Sequence, residues 1–271
     1  MSKKILMLHG FVQNDRIFSA KTGGLRKALK KLGYELDYPC GPVAVDRTSL
    51  MSSSSVKEVE ADVAKQFNTD LGPGRDGKEN ELFGWWERKP GGSFYDYEIP
   101  HSTFEFLRSY ILENGPYDGI MGFSQGGGMG GYLVSDLNRL LNLNKEEQPD
   151  LKFFIAFSGF RLEPEIYAQH FREHPISIPT LIVQGELDTV VAESRVMSLY
   201  EAVLPQYRTL LKHHGGHFIP NQKLFLNQIT GWIQAMTSDQ ETDTDIEMSS
   251  SSVQPEIDNE LLDMIDSMGK L

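Results

Sequence analysis

The sequence contains one cysteine, Cys40, in 271 residues. That excludes an intramolecular disulfide and any zinc site built on paired thiolates. It has no run of 18 apolar residues, so no membrane-spanning helix is expected, and Ile5-Leu6-Met7-Leu8 is too short for the core of a secretion signal. Signals for lipid attachment are missing as well: Ser2 stands where a myristoylated chain needs glycine, and the last four residues include no cysteine. The expected setting is reducing, cytoplasmic and also nuclear, with no membrane insertion. Basic residues are scarce, 26 Lys+Arg against 38 Asp+Glu for a net charge of −12. Such a surface repels phosphate backbones, so no nucleic-acid partner is expected. Ten of the acids and a single base fall in residues 237–271, which leaves residues 1–236 close to neutral.

A hydrophobic fraction of 39%, with 10% aromatics, is enough for a packed core. Short buried-strand patterns alternate with helical ones. Strands are predicted at 5–9, 36–38, 119–122, 153–157, 181–184 and 208–212, and helices at 25–32, 104–112, 125–142, 192–203 and 221–236. Alternation of this kind predicts an α/β fold with a mostly parallel sheet and helices on both faces. Residues 41–100 break the rhythm with Ser52–Ser55, Gly72-Pro73-Gly74 and the aromatics Phe83, Trp85, Trp86, Phe94, Tyr95 and Tyr97. A stretch of that length is either a partial cap over a site or an ordinary strand and helix packed by those aromatics. Three parts follow: a catalytic domain at 1–236, an acidic low-complexity linker at 237–255, and an amphipathic helix at 256–271. That helix would dock on its own domain, on a second copy or on a partner protein.

Gly122-Phe123-Ser124-Gln125-Gly126 matches G-x-S-x-G, with a strand before it and a helix after it. In that context the pattern forms a tight turn that presents a serine hydroxyl above the sheet edge. A serine needs a base. His217, within Gly215-Gly216-His217-Phe218-Ile219-Pro220, follows the last strand and is the candidate, with His213 and His214 as the alternatives. The acid that orients it is expected at Asp188 in the loop after the preceding strand, with Glu186 as runner-up. Donors for a developing oxyanion are expected from the backbone N–H groups of Gln125 and Phe11, or Val12 in place of Phe11. Trp85, Trp86, Phe94 and Met129 are candidates for an acyl pocket. A competing pattern, G-x-G-x-x-G at Gly126–Gly131 with Glu146 further on, would suit a dinucleotide. Its glycines begin four residues after the strand, however, and Glu146 falls in a loop unsuited to holding a ribose.

His9-Gly10-Phe11 with Gln13-Asn14, Gly115-Pro116-Tyr117-Asp118-Gly119 leading into the serine turn, Gly185-Glu186-Leu187-Asp188, and Gly215 to Asn221 resemble the fungal family of serine hydrolases. These are small α/β-hydrolases related to the human ovarian-cancer-associated hydrolase. The similarity spans residues 3–236 with every motif in order, and Asp266-Ser267-Met268-Gly269-Lys270 is similar to the ending of one fungal paralogue. The resemblance implies an α/β-hydrolase with Ser124, Asp188 and His217 as its triad. It also implies hydrolysis of a small acyl ester or thioester, without metal or cofactor. The serine-rich segment at 52–55 departs from the family pattern and leaves the cap geometry open. The rival expectation is a binding or scaffold protein on a hydrolase fold, acting through its acidic tail.

Overall fold

The computed structural model describes residues 3–46, 81–87 and 96–238. Its centre is a six-stranded sheet of β1 (Lys3–Leu8), β2 (Tyr34–Asp37), β5 (Gly119–Phe123), β6 (Phe153–Phe157), β7 (Thr180–Gly185) and β8 (Arg208–His213). The spatial order is β2-β1-β5-β6-β7-β8, and every pairing is parallel. Strands β5, β6 and β7 are buried at every residue, which is why each reads as a continuous apolar run rather than an alternation.

The pleat sorts those runs into two cores. Ile5, Met7, Met121, Phe123, Phe153, Ile155, Leu181 and Val183 face one side. There they meet Phe18 of α1 (Asp15–Lys21), Leu25 and Leu29 of α2 (Gly23–Lys30), and Phe225, Ile229 and Ile233 of α8 (Lys223–Ser238). Leu6, Leu8, Ile120, Phe154 and Ile182 face the other side. They pack on α3 (His101–Asn114), α4 (Gln125–Ser135), α6 (Glu165–Glu173) and α7 (Glu193–Glu201). A short helix, α5 (Leu137–Leu140), follows α4.

Most predicted ends shift by one to three residues, and one helix divides. The helix expected over 125–142 breaks at Asp136, where ψ turns to 57°, and the closing helix runs on to Ser238. Helices α1 and α6 carried no sequence prediction. Helix α1 is set by Asn14, whose side-chain oxygen accepts the Ile17 N–H at 2.8 Å as an N-cap.

Of the 41–100 stretch, the described part includes a two-stranded antiparallel ribbon of β3 (Val43–Ala44) and β4 (Phe83–Gly84). The serine-rich segment, Phe94, and the linker and terminal helix expected beyond 238 lie outside the described residues. Among the described residues no helix is long and apolar enough to cross a membrane.

The chain leaves β1 toward β2 on one side, and later places β5 on the other side of β1. In open parallel sheets a ligand crevice lies outside the carboxyl ends of the strands at such a switch point. The loops after β1 and β5 meet there.

Candidate active site

Ser124 lies between β5 and α4 with φ 53° and ψ −116°. This is a left-handed conformation that costs a non-glycine residue on the order of 1–3 kcal/mol unless its surroundings impose it. They do: the Ser124 N–H donates to the Phe157 carbonyl at 2.8 Å, and the Ser124 carbonyl accepts the Gly128 N–H at 3.0 Å. The flanking glycines allow the turn to close, because a Cβ on Gly122 would stand 2.2 Å from the Gly126 carbonyl oxygen. A Cβ on Gly126 would stand 2.1 Å from the Leu8 carbonyl oxygen. Helix α4 therefore presses directly on β1, and that close packing offsets the roughly 1 kcal/mol each interior glycine costs a helix. The glycines of the dinucleotide-like pattern face the protein itself: Gly126 the Leu8 carbonyl, Gly128 the Phe160 carbonyl and Gly131 the Leu199 side chain.

Asp188 and His217 meet across the loops after β7 and β8. His217 Nδ1 lies 2.8 Å from Asp188 Oδ2, and both side chains are almost fully buried, 4% and 1% exposed. The other carboxylate oxygen accepts the N–H groups of Val190 and Val191, each at 2.9 Å. Burial by itself would raise the Asp188 pKa. The hydrogen bond and charge of His217, the Val191 N–H and the Ser158 hydroxyl outweigh it and hold the group below the usual carboxylate range. An ionised Asp188 requires a proton on His217 Nδ1, so that in the neutral ring Nε2 is the acceptor. That nitrogen is buried and has no hydrogen-bond partner among the described residues, Ser124 included. The imidazole rests on the ring of Phe123, the residue preceding Ser124, with centroids 4.7 Å apart.

The runner-up residues sit elsewhere. His214 is almost wholly exposed and pairs with Glu186 at the surface. His213 is turned to the Phe218 and Phe225 rings, and its Nδ1 accepts the Gly215 N–H at 3.1 Å.

After β1, Gly10 packs against the serine turn: a Cβ there would lie 3.0 Å from the Phe123 ring and 3.4 Å from Ser124 Cβ. Val12, two residues on, has φ 54°. The Gln125 side chain reaches away from the serine, accepting the Trp85 N–H at 2.9 Å and donating to the Trp86 carbonyl at 2.8 Å. Trp85 in turn donates its indole N–H to the His9 carbonyl at 2.9 Å. Segment 81–87 is thus fastened over both candidate donor loops.

The residues expected to line an acyl pocket lie in and beside that fastening. Trp85 and Met129 are fully buried, Trp86 is 3% exposed and stacks on Tyr97 at 5.1 Å, and Phe94 lies outside the described residues. The aromatics are spent on joining the 81–87 segment to the core. An open cavity of about 300 Å³ adjoins Phe123, lined by Phe18, Phe218, Ile219, Gln13, Lys21 and Asn221, among others, but not by Ser124 or His217. Sequence reasoning also passed over Ser158, which is buried with φ 47° just after β6 and supports the Asp188 carboxylate. Its signal was the Ser158-Gly159 pair ending a buried strand. No group of three or more potential metal ligands occurs among the described residues.

A doubly wound parallel sheet carrying a strained serine at a strand-to-helix turn defines an α/β-hydrolase. The solved structure of esterase PE8 has the same fold, with TM-score 0.53 and 19% identity, covering 87% of this chain and 93% of that one. A model of the family described as Serine hydrolase (FSH1) matches residues 1–229. Family of serine hydrolases 3 of Saccharomyces cerevisiae is 53% identical over 272 residues, covering 99% of this chain and 98% of the yeast protein. Esterase OVCA2 of Danio rerio is 32% identical over 228 residues, covering 80% and 90% respectively. The chain belongs to this family of serine hydrolases.

Proposed function

We propose that the chain hydrolyses small carboxylic esters or thioesters through an acyl-enzyme on Ser124. The observation that carries this reading is a strained Ser124 next to Phe123, on whose ring rests the imidazole of a buried Asp188–His217 couple with Nε2 left unbonded. His217 takes the Ser124 proton as Oγ attacks the acyl carbon, and Asp188 stabilises the imidazolium without taking the proton. The tetrahedral oxyanion is received by the N–H groups of Phe11 and Gln125. His217 then protonates the departing alcohol or thiol, and water repeats the sequence to release the acid. The chemistry is complete within these side chains and calls on no cofactor.

The esterase name of the zebrafish relative supports the ester half of this reading. A short acyl chain is the expectation of the family resemblance and not of the cavity beside Phe123, whose lining includes neither Ser124 nor His217. A fluorophosphonate probe is expected to label wild-type protein at Ser124 and to leave Ser124→Ala unlabelled; labelling that persists in the variant overturns the assignment. A chain-length series of p-nitrophenyl esters beside matched acyl-thioesters is expected to peak at short acyl chains.

A further inference from the structure

His9 is fully buried after the end of β1, and both of its ring nitrogens are engaged. Nε2 accepts the Gly41 N–H at 2.8 Å and so carries no proton. Burial keeps the imidazole neutral, pushing its pKa down to about 4. The single ring proton is therefore on Nδ1, from which it is donated to the Gly10 carbonyl oxygen at 2.7 Å. The Gly10–Phe11 peptide is trans, and the C=O and N–H of a trans peptide point in opposite directions. With the Gly10 carbonyl turned toward His9, the Phe11 N–H is turned away from it. The preceding peptide is fixed separately, because the Gly10 N–H donates to Gln13 Oε1 at 3.1 Å.

We infer that His9 is a positioning residue whose Nδ1–H, by holding the Gly10 carbonyl, sets the direction of the Phe11 N–H that receives the oxyanion. This rests on the acyl-transfer reading given above. If the peptide turned over, a carbonyl oxygen would stand where the donor is needed, replacing attraction with repulsion at the step where charge develops. His9 touches no substrate in this account; its effect on turnover passes through one peptide bond. The ring is braced for the task by the Trp85 indole 5.1 Å away, which also bonds the His9 carbonyl.

Two amide substitutions separate this role from simple scaffolding. The short side chain of His9→Asn keeps a donor near the Nδ1 position but cannot reach Gly41. The longer one of His9→Gln keeps an acceptor for Gly41 and loses the bond to Gly10. With p-nitrophenyl butyrate, His9→Gln is expected to lower kcat about 100-fold with KM changed only a few-fold, the scale of one lost oxyanion donor. Affinity for an alkylboronic acid, which forms a tetrahedral adduct on a serine, should fall in parallel. His9→Asn should recover most of kcat. The reverse ranking overturns the inference, as does equal loss of kcat and Tm in both variants with boronic-acid affinity unchanged. Nitrogen-15 NMR of the wild-type imidazole gives a readout that needs no variant: the proton is expected on Nδ1, and a proton on Nε2 overturns the inference. Wild-type protein and Ser124→Ala are assayed alongside. Turnover that is absent, or independent of Ser124, removes the acyl-transfer reading itself; turnover that depends on Ser124 with the ranking reversed removes only the role of His9.

Discussion

Two buried histidines in this molecule each sit among serine and acidic side chains, and they are wired in opposite senses. His217 hydrogen-bonds Asp188 through Nδ1, and its Nε2 has no partner among the described residues. His170, on α6, lies with Nε2 2.8 Å from the Ser135 oxygen, while the Ser135 hydroxyl donates onward to the Tyr132 carbonyl at 2.7 Å. Its Nδ1 faces Arg139 at 3.5 Å, and Arg139 is paired with Asp136 and bonds His174 at 2.9 Å. The carboxylate that would stabilise a charged His217 is replaced around His170 by a cation. Listing serine, histidine and aspartate as neighbours therefore does not identify a catalytic group. What matters is which nitrogen is left able to take a proton, and what charge stands behind the other.

The largest effect that would break this contrast is on turnover. Ser124→Ala is expected to reduce ester hydrolysis by roughly 10⁴-fold or more, whereas Ser135→Ala should leave kcat/KM within about twofold. Comparable losses in the two variants would erase the distinction. Asp188→Asn should cost on the order of 10⁴-fold in kcat, because the amide favours the wrong tautomer of His217. Steady-state kinetics with an unchanged Tm would show that the loss is chemical. Ser158→Ala is expected to cost about tenfold, roughly the worth of one hydrogen bond to a charged group. Since the Ser158 hydroxyl helps to lower the Asp188 pKa, its removal should raise that pKa, as read by carbon-13 NMR of the Asp188 carboxyl; an unmoved pKa would leave Ser158 a packing residue.

The smallest effect is on stability. Burial, His174 and Arg139 hold the His170 pKa below the ordinary imidazole value. The folded state then favours the neutral ring. Stability from this site is complete above about pH 6.5 and is lost as the pH falls below that toward the folded-state value. Urea titrations between pH 7 and 5 should show a shallower loss for His170→Gln than for wild type, with ester turnover at pH 7.5 unchanged in the variant.

The strands were legible because burial on both faces leaves a plain apolar run, as in Phe153–Phe157, and the serine turn because its glycines are forced by contacts with backbone. Helices α1 and α6 were not read. They are short, and α1 depends on one capping side chain and on Ile17 and Phe18 rather than on a long apolar stripe. Spacing could place Ser124, Asp188 and His217 in suitable loops, but not show that Asp188 rather than Glu186 reaches the imidazole. That difference is one of direction, set by where the two Gly215-Gly216 peptides allow the loop to fold. The side chains of His9, Gln125 and Ser158 act on backbone or on other site groups, and no motif records such contacts. For the aromatics at 85 and 86, composition shows that a ring will be buried without showing whether protein or ligand buries it.

The fastening of segment 81–87 also bears on how the chain reaches its working state. The His9 ring is held by a residue 32 positions away, its carbonyl by one 76 positions away, and the Asp188–His217 bond spans 29. Contacts so distant along the chain form only after costly loop closures, which makes them late events in folding. Recovery of esterase turnover during refolding should therefore lag behind recovery of helical circular dichroism, so that activity reports on completion of the native state rather than on collapse.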